Sequence, residues 1–452
     1  MRRYKVILYM GILLILMTGC GKDKVEYVTE TNTPTDSVGS DISMTPVAEK
    51  VGVDEELWEE TVDLATAKKV KAEIRVPDVT GMKVIEVETI DYAYDTALKE
   101  EFLTAISTGP IYYYGDEYRI KEEYEEDLAR YGELLDLEAG TGSYLEQEYY
   151  YIYNELLDAY ENAPDEYVEI ADFSSNTYLV TSKENNLQYV VCFDEGHIDM
   201  RLLDTRVLVE SNGEPITVYT HNNDDIQVSN IGENRCTMSQ EDAQLMAEKF
   251  IEKLGVEEFE LFITNEFLIQ TFDTAFEEEN YYDGYCFTFV RNIDGIITKN
   301  IAFGSTNTTS YQGQEITNEK QTSGKIHYRG RGDYIMICVN DKGVVDFCYA
   351  NAHKSVSMTE NVSLLSYDSI KQAMAEEIYA RDYYKFDCFI YMELTYLYYY
   401  DYDAKKGSII PVWVLTNDEA TDIKNSDLSQ VIINAIDGSV INMGEQIYEE
   451  YD

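Results

Sequence analysis

The sequence is 452 residues long and sets 86 Asp and Glu against 35 Lys and Arg, a formal charge of -51. A chain this acidic opposes phosphate backbones and anionic headgroups, which need clustered Lys and Arg, so no nucleic-acid partner is expected. Hydrophobic residues make up 44% and supply material for packed cores, which argues against disorder over most of the length, while 7 Pro and 2 Trp argue against Pro-rich stalks and a Trp-lined sugar cleft.

Arg2, Arg3 and Lys5 precede an apolar run over residues 6–17, too short to cross a bilayer as a stable helix, and this predicts a secretory signal over residues 1–19. The signal ends in Leu16-Met17-Thr18-Gly19-Cys20, small residues directly before a cysteine. This string resembles the lipobox of bacterial lipoproteins, with Met17 standing where Leu is commonest. The resemblance implies that Cys20 is diacylated and becomes the first mature residue. A diacylglyceryl anchor at Cys20 would then hold the protein at the outer face of the cell membrane of a Gram-positive-type bacterium. Two acyl chains supply the double hydrophobic signal that stable anchoring needs. Residues 20–53 read as a flexible tether rich in Thr, Ser, Asp, Gly and Pro; a random coil of about 30 residues spans roughly 30 Å.

Beyond the tether, residues 71–76 alternate Ala72, Ile74 and Val76 before Pro77, and residues 83–89 continue in extended style, predicting an opening β-ribbon. Residues 95–106 carry Leu98, Phe102, Leu103 and Ile106 at helical spacing until Gly109-Pro110. A second helix over 121–135 places Tyr124, Leu128, Tyr131 and Leu135 on one stripe. A third follows the Ser143 cap with Tyr149, Ile152, Tyr153, Leu156 and Tyr160, and stops before Pro164. Short apolar runs at 178–181, 187–193 and 197–203 predict an antiparallel meander. Residues 54–236 are thus expected to form a mixed helical and antiparallel β domain.

The second half reads as a degenerate repeat. Ser239 to Asp242 approximates a capping box, and Ala243, Met246, Ala247, Phe250, Ile251 and Leu254 follow at helical spacing before Gly255. Extended runs follow at 259–263, 285–291, 334–339 and 344–349, the last two joined by an Asp341-Lys342-Gly343 turn. About 125 residues further on, Asp368 caps a helix with Ile370, Ala373, Met374 and Ile378, and runs at 393–399, 410–415, 430–436 and 439–442 repeat the sequel, with Asp437-Gly438 as a hairpin signal. The expected fold is α+β, with two related helix-on-antiparallel-sheet modules over residues 237–352 and 353–452.

The search for chemistry returns little. His197, His221, His327 and His353 show no metal-binding spacing, and the chain has no G-x-S-x-G elbow and no phosphate-binding loop. Gly330-Arg331-Gly332 lacks a third glycine. No catalytic residue, metal site or cofactor is expected, and Asp401-Tyr402-Asp403 and Asn222-Asn223-Asp224-Asp225 read as solvated acidic turns, without the Gly and terminal Glu of a calcium loop. Cys192, Cys236, Cys286, Cys338, Cys348 and Cys388 form an even set, which leaves both disulfides and buried free thiols open. The hairpin turn places Cys338 opposite a residue near Val345, with Cys348 beyond it.

The segments Phe289-Val290-Arg291-Asn292-Ile293-Asp294-Gly295, Pro411-Val412-Trp413 and Asn434-Ala435-Ile436-Asp437-Gly438 resemble the strand and turn motifs of PepSY-like and YycH/YycI-type extracytoplasmic modules. The likeness covers at most residues 237–445 and implies modules that inhibit or regulate protein partners and are not enzymes. The whole chain is also similar to the large uncharacterised lipoproteins of gut Firmicutes, which implies location and no mechanism. A non-enzymatic, protein-binding or regulatory lipoprotein with an extracytoplasmic protein partner is therefore expected. The alternative is a surface binder of polysaccharide using the tyrosine clusters at 112–114, 149–151 and 396–400. In the last module, period-two alternation puts Val412 and Val414 under the helix and sends Trp413 and Leu415 to the opposite face. Tyr396, Tyr398 and Tyr400 would join them there as a partner-binding surface.

Lipidation has a direct test. The parent protein is expected in the membrane fraction with a diacylglyceryl mass on Cys20, and Cys20→Ala is expected to leave that fraction; a variant that stays bound, with no lipid on the parent, refutes the anchor.

Overall fold

The computed structural model describes residues 45–63, 68–203, 216–220, 233–256, 258–272, 278–299, 324–328, 332–380, 388–401, 406–416, 430–441 and 446–450. Cys20, the proposed signal, most of the tether, His221 and the acidic turn at 222–225 lie outside these residues, as do Gly330, Arg331, Tyr402 and Asp403.

In chain order the elements are α1 (Val47–Val51), β1 (Leu57–Asp63), β2 (Lys68–Arg75), β3 (Val84–Thr89), α2 (Thr96–Ile106), β4 (Tyr112–Tyr113), α3 (Lys121–Glu138), α4 (Tyr144–Asn162), β5 (Thr177–Thr181), β6 (Gln188–Asp194), β7 (His197–Leu202) and β8 (Ile216–Thr220). There follow α5 (Gln240–Lys253), β9 (Phe259–Phe272), β10 (Glu278–Ile293), β11 (Ile296–Lys299), β12 (Gly324–Tyr328), β13 (Tyr334–Asn340), β14 (Gly343–Ala350), β15 (His353–Thr359), α6 (Tyr367–Ala380), β16 (Cys388–Asp401), β17 (Lys406–Thr416), β18 (Gln430–Asn434) and β19 (Gln446–Glu450). The fold is α+β and mostly sheet. Strands β12 and β19 pair with each other, and the rest join one hydrogen-bonded network with two limbs.

The first limb runs β4-β5-β6-β7-β14-β13-β10-β9-β8, antiparallel throughout. Two capped helices share its core. Asp95 accepts from the backbone N–H groups of Ala97 and Leu98 to start α2, and Ser239 accepts from Asp242 to start α5, each satisfying donors that a helix start leaves without partners. Helix α2 buries Phe102, Leu103 and Ile106, and α5 buries Ala243, Ala247, Phe250 and Ile251. Phe347 of β14 joins them, its ring centroid 5.7 Å from that of Phe102 and 5.4 Å from that of Phe250. Burying each such ring stabilises the fold by roughly 1.5–3 kcal/mol before entropy costs. The β13–β14 turn falls at Asp341-Lys342 as expected, but a bulge between Cys338 and Val339 shifts the register, and Cys338 opposes Asp346, one residue beyond the expected position.

The second limb centres on β16. Strand β17 pairs antiparallel along its length, while the other edge takes β2 and then β11, both parallel. The far edge of β17 carries β18 and β3, and β3 pairs with β15. This sheet is therefore mixed, where a purely antiparallel one was expected, because the chain delivers β2 from far upstream. The opening ribbon is β1 with β2; β3, the anticipated partner of β2, pairs instead with β15 and β17. Segments distant in sequence thus share both limbs. Strands β5 to β7 complete the sheet under α5, and β1 to β3 complete the one under α6.

The limbs meet where β14 passes into β15 and β3 passes toward α2. Three backbone amides close a ring there: Gly196 N donates to Ile90 O at 2.7 Å, Ile90 N to Ala352 O at 2.8 Å, and Ala352 N to Gly196 O at 2.9 Å. Gly196 has φ +68, and a Cβ would stand 2.8 Å from Thr89 Cγ2, so the position needs glycine. Beside this ring the buried Arg291 of β10 donates through Nε to both Asp333 oxygens and through Nη2 to Asp333 and to the His353 carbonyl oxygen, and its Nη1 reaches Glu258. One guanidinium thus ties β10, the entry of β13 and the start of β15.

Burial pushes the His353 imidazole down to about 4, with Asp333 opposing and Arg291 adding to the shift. The group is neutral when folded. Between pH 6.5 and about 4 the unfolded chain takes up a proton that the folded chain refuses, so stability falls as pH drops through that window and is independent of this group above it. Denaturant unfolding at about pH 7 and about pH 5 should show a stability loss in the parent larger by about 2 kcal/mol than in His353→Phe; equal losses would show that His353 charges freely in the fold.

Candidate functional site

The residues expected to form an open aromatic surface are buried. Tyr396, Trp413 and Leu415 are inaccessible, Tyr398 is 9% exposed, and Tyr400 packs partly buried against the same cluster. Trp413 and Leu415 share a face as the alternation implies, and Tyr396, Tyr398 and Tyr400 join them on that side of β16 and β17, but α6 covers it. Trp413 lies 5.8 Å from the Tyr367 ring of α6, among Ile370, Met374 and Ile378. Val412 and Val414, expected beneath the helix, pack on the reverse face with Ile410, Leu397, Ile432 and Ile441. The aromatic side chains thus lie in the core beneath the helix, and the branched ones in the separate core behind. Tyr396 is fixed further by its hydroxyl, which accepts from Lys83 N at 3.0 Å, and the Tyr398 ring lies tilted against His353 with centroids 4.5 Å apart. These tyrosines are structural.

A surface with exposed aromatics does exist, on the α3–α4 hairpin. The stripe Tyr149, Ile152, Tyr153, Leu156 and Tyr160 turns toward α3, where Tyr131 and Tyr149 meet edge to face at 6.1 Å. Helix α4 nevertheless buries no residue fully. Its other side carries Tyr144, Tyr150 and Tyr151, which are 62–76% exposed, and Leu137 near the turn is as open. Between residues 121 and 162, Lys121 and Arg130 stand against thirteen Asp and Glu, so the exposed rings sit in a strongly negative field.

The hairpin is held stiffly at both ends. At the turn, the Glu146 carboxylate accepts from Gly140 N at 2.8 Å and Gly142 N at 2.7 Å, and these backbone donors hold its carboxyl below the usual range. Ser143 caps α4 through Glu146 N and donates to Glu138 at 2.8 Å. At the base, the buried Glu123 carboxylate accepts from Ile120 N and from the hydroxyls of Tyr114 and Tyr167, while Arg119 pairs with Asp127 and stacks on Tyr124. The 112–114 tyrosines are spent in this support: Tyr113 stacks on Tyr118 at 4.9 Å and accepts from Ala171 N and Asp172 N. A short acidic loop thus becomes a fixed platform.

A second grouping was missed in the sequence. His197 and Asp199 lie two apart on β7, and Cys348 joins them from β14, 151 residues from His197. The one local signal was the His-x-Asp spacing, which puts both side chains on one strand face. Burial works to lower the His197 imidazolium, and the hydrogen bond and charge of Asp199 outweigh it, so the group is raised.

No family model matches the sequence, and no curated protein matches it. Among solved structures, an uncharacterized protein from Eubacterium rectale is similar over 86% of this chain and 93% of its own, at 13% identity and a TM-score of 0.40. The C-terminal domain of Bacillus megaterium YpeB is similar over 61% and 82%, at 12% identity and a TM-score of 0.25. Likenesses at these scores carry no weight for fold or function. Among the described residues, no helix is long and apolar enough to cross a membrane.

Trp413→Ala removes a buried indole and is expected to destabilise the protein by about 3–5 kcal/mol, read as a lowered midpoint in denaturant. An unchanged midpoint would mean that α6 does not cover this face in solution.

Proposed function

We propose that this protein is a non-enzymatic, extracytoplasmic lipoprotein, held at the membrane by Cys20, whose α3–α4 hairpin docks a cationic segment of a partner protein. The observation that carries the reading is the exposure of Tyr144, Tyr150 and Tyr151 on a pre-shaped hairpin with thirteen acids and two bases. Exposed tyrosines on a rigid support offer contact area at low entropy cost, and the surrounding carboxylates select for Lys and Arg and speed encounter. A tether from Cys20 suits such a role, since it lets a docking surface sample the space above the membrane. The reading of the C-terminal half as two PepSY-like modules belongs to the same proposal. It is supported by α5 lying across β10, β13 and β14 and α6 lying against β18.

The full-length protein should be titrated against immobilised Lys- and Arg-rich peptides, acidic peptides of matched length and a glycan array. Cationic peptides should bind, less tightly as salt rises from about 0.05 to 0.15 M. Tyr150→Ala with Tyr151→Ala should weaken that binding by about 30-fold, a hot-spot effect, with the unfolding midpoint unchanged. Saturable glycan binding without peptide binding would replace this reading with the polysaccharide one, and peptide binding indifferent to both tyrosines would remove the hairpin from it.

A further inference from the structure

Strand β7 sends Ile198, Met200 and Leu202 into the core shared with α2 and α5, which leaves His197, Asp199 and Arg201 on its other face. In the pairing of β7 with β14, Cys348 stands directly opposite Asp199. The three donors converge: His197 Nε2 is 2.9 Å from Asp199 Oδ2 and 3.9 Å from Cys348 Sγ, and one donor atom from each lies within 4.8 Å of the others. We infer that His197, Asp199 and Cys348 form a binding site for a divalent cation of the zinc class.

The donor chemistry selects the ion. Calcium and magnesium take oxygen shells, whereas one imidazole nitrogen, one thiolate and one carboxylate suit zinc and its borderline neighbours. The geometry fits as well. Zinc bond lengths at tetrahedral angles put ligand atoms about 3.3–3.6 Å apart, so the two distances given straddle the requirement, and the third pair, within 4.8 Å, closes on the ion by side-chain rotation. Two donors share one strand and the third is on its hydrogen-bonded neighbour, which fixes their spacing through the backbone rather than through a loop.

Charge permits the ion despite the nearby cation. Arg201 lies next along the same face with its Nε 3.6 Å from Asp346 Oδ2, and this carboxylate offsets the guanidinium. The metal therefore meets a thiolate and a carboxylate that together match its charge. On binding, the Cys348 thiol proton and any proton between His197 and Asp199 leave to solvent. The site opens on the side of His197 and Asp199, whose side chains are 22% and 21% exposed, with Cys348 buried behind them. Cys192 stands opposite Asp199 in the pairing of β6 with β7 but is not among the three donors that converge.

Cobalt(II) is the probe, because thiolate coordination gives it a sulfur-to-metal charge-transfer band and tetrahedral sites give it intense visible bands. The full-length protein, reduced and freed of metal by chelation, should take up one equivalent of cobalt with both features, and zinc should displace it. Cys348→Ala should abolish the charge-transfer band. His197→Gln, at a partly exposed position that should leave folding intact, should weaken cobalt binding by more than about tenfold, the loss that removing even an outer partner can cause. A parent without the charge-transfer band, or a band that persists in Cys348→Ala, overturns the site. If Cys348→Ala does not fold, unaltered cobalt affinity in His197→Gln overturns it equally. Neither result depends on what the hairpin binds.

Discussion

A single buried guanidinium holds the two limbs of this structure in one arrangement. Arg291 would be costly in the interior alone, and its retention depends on Asp333, Glu258 and the His353 carbonyl, drawn from three separate stretches of chain. Such a cluster adds little net stability over a well-packed apolar one, but it penalises any arrangement that leaves the cation without its partners. The ring of amides through Ile90, Gly196 and Ala352 acts in the same way on the backbone. It allows the chain to cross between limbs at two points without stranding a polar group. Both cores, the register of β15 on β3 and the placing of β1 to β3 under α6 follow from that junction.

The hairpin obeys a different economy. It has few apolar contacts beyond its own two helices, and its shape comes from local polar bonds: Glu146 and Ser143 at the turn, Glu123 and Arg119 at the base. Thirteen acids on so small an element repel one another, and the stiff turn and base keep that repulsion from opening it. The same repulsion that taxes the isolated hairpin would be relieved by a cationic partner.

Helices were the most legible part of the sequence. The Ser143 and Ser239 caps and the 3.6-residue stripes announced α2, α4 and α5, because both signals are local. Strand pairing was not, since whether β2 lies beside β3 or β16 is decided by surfaces hundreds of residues apart. Alternation along β17 correctly grouped Trp413 with Leu415, and the register of β16 on β17 is what puts Tyr396, Tyr398 and Tyr400 on the same side. It gave no indication of which side the helix would choose, and branched Val412 and Val414 were the wrong guide because both faces of this sheet bury apolar side chains. The His197, Asp199 and Cys348 grouping was invisible for a related reason. Its defining step is the register of β14 on β7, a property of the pairing that neither strand carries by itself.

The hydrogen bond from Lys83 to the Tyr396 hydroxyl spans 313 residues, and it says something about how the molecule comes into being. A chain made from its N-terminus produces β2 and β3 early, yet their partners β16 and β17 are nearly the last to emerge. Until then, several strands carry open edges and apolar faces, the state in which chains join the wrong neighbours. Long-range pairing of this kind also makes folding slow, since loop closure is paid for before any contact rewards it. The large negative charge, of no use in building the cores, keeps such waiting chains apart from one another, and so the acidity of the sequence serves the molecule before it is folded as much as afterwards.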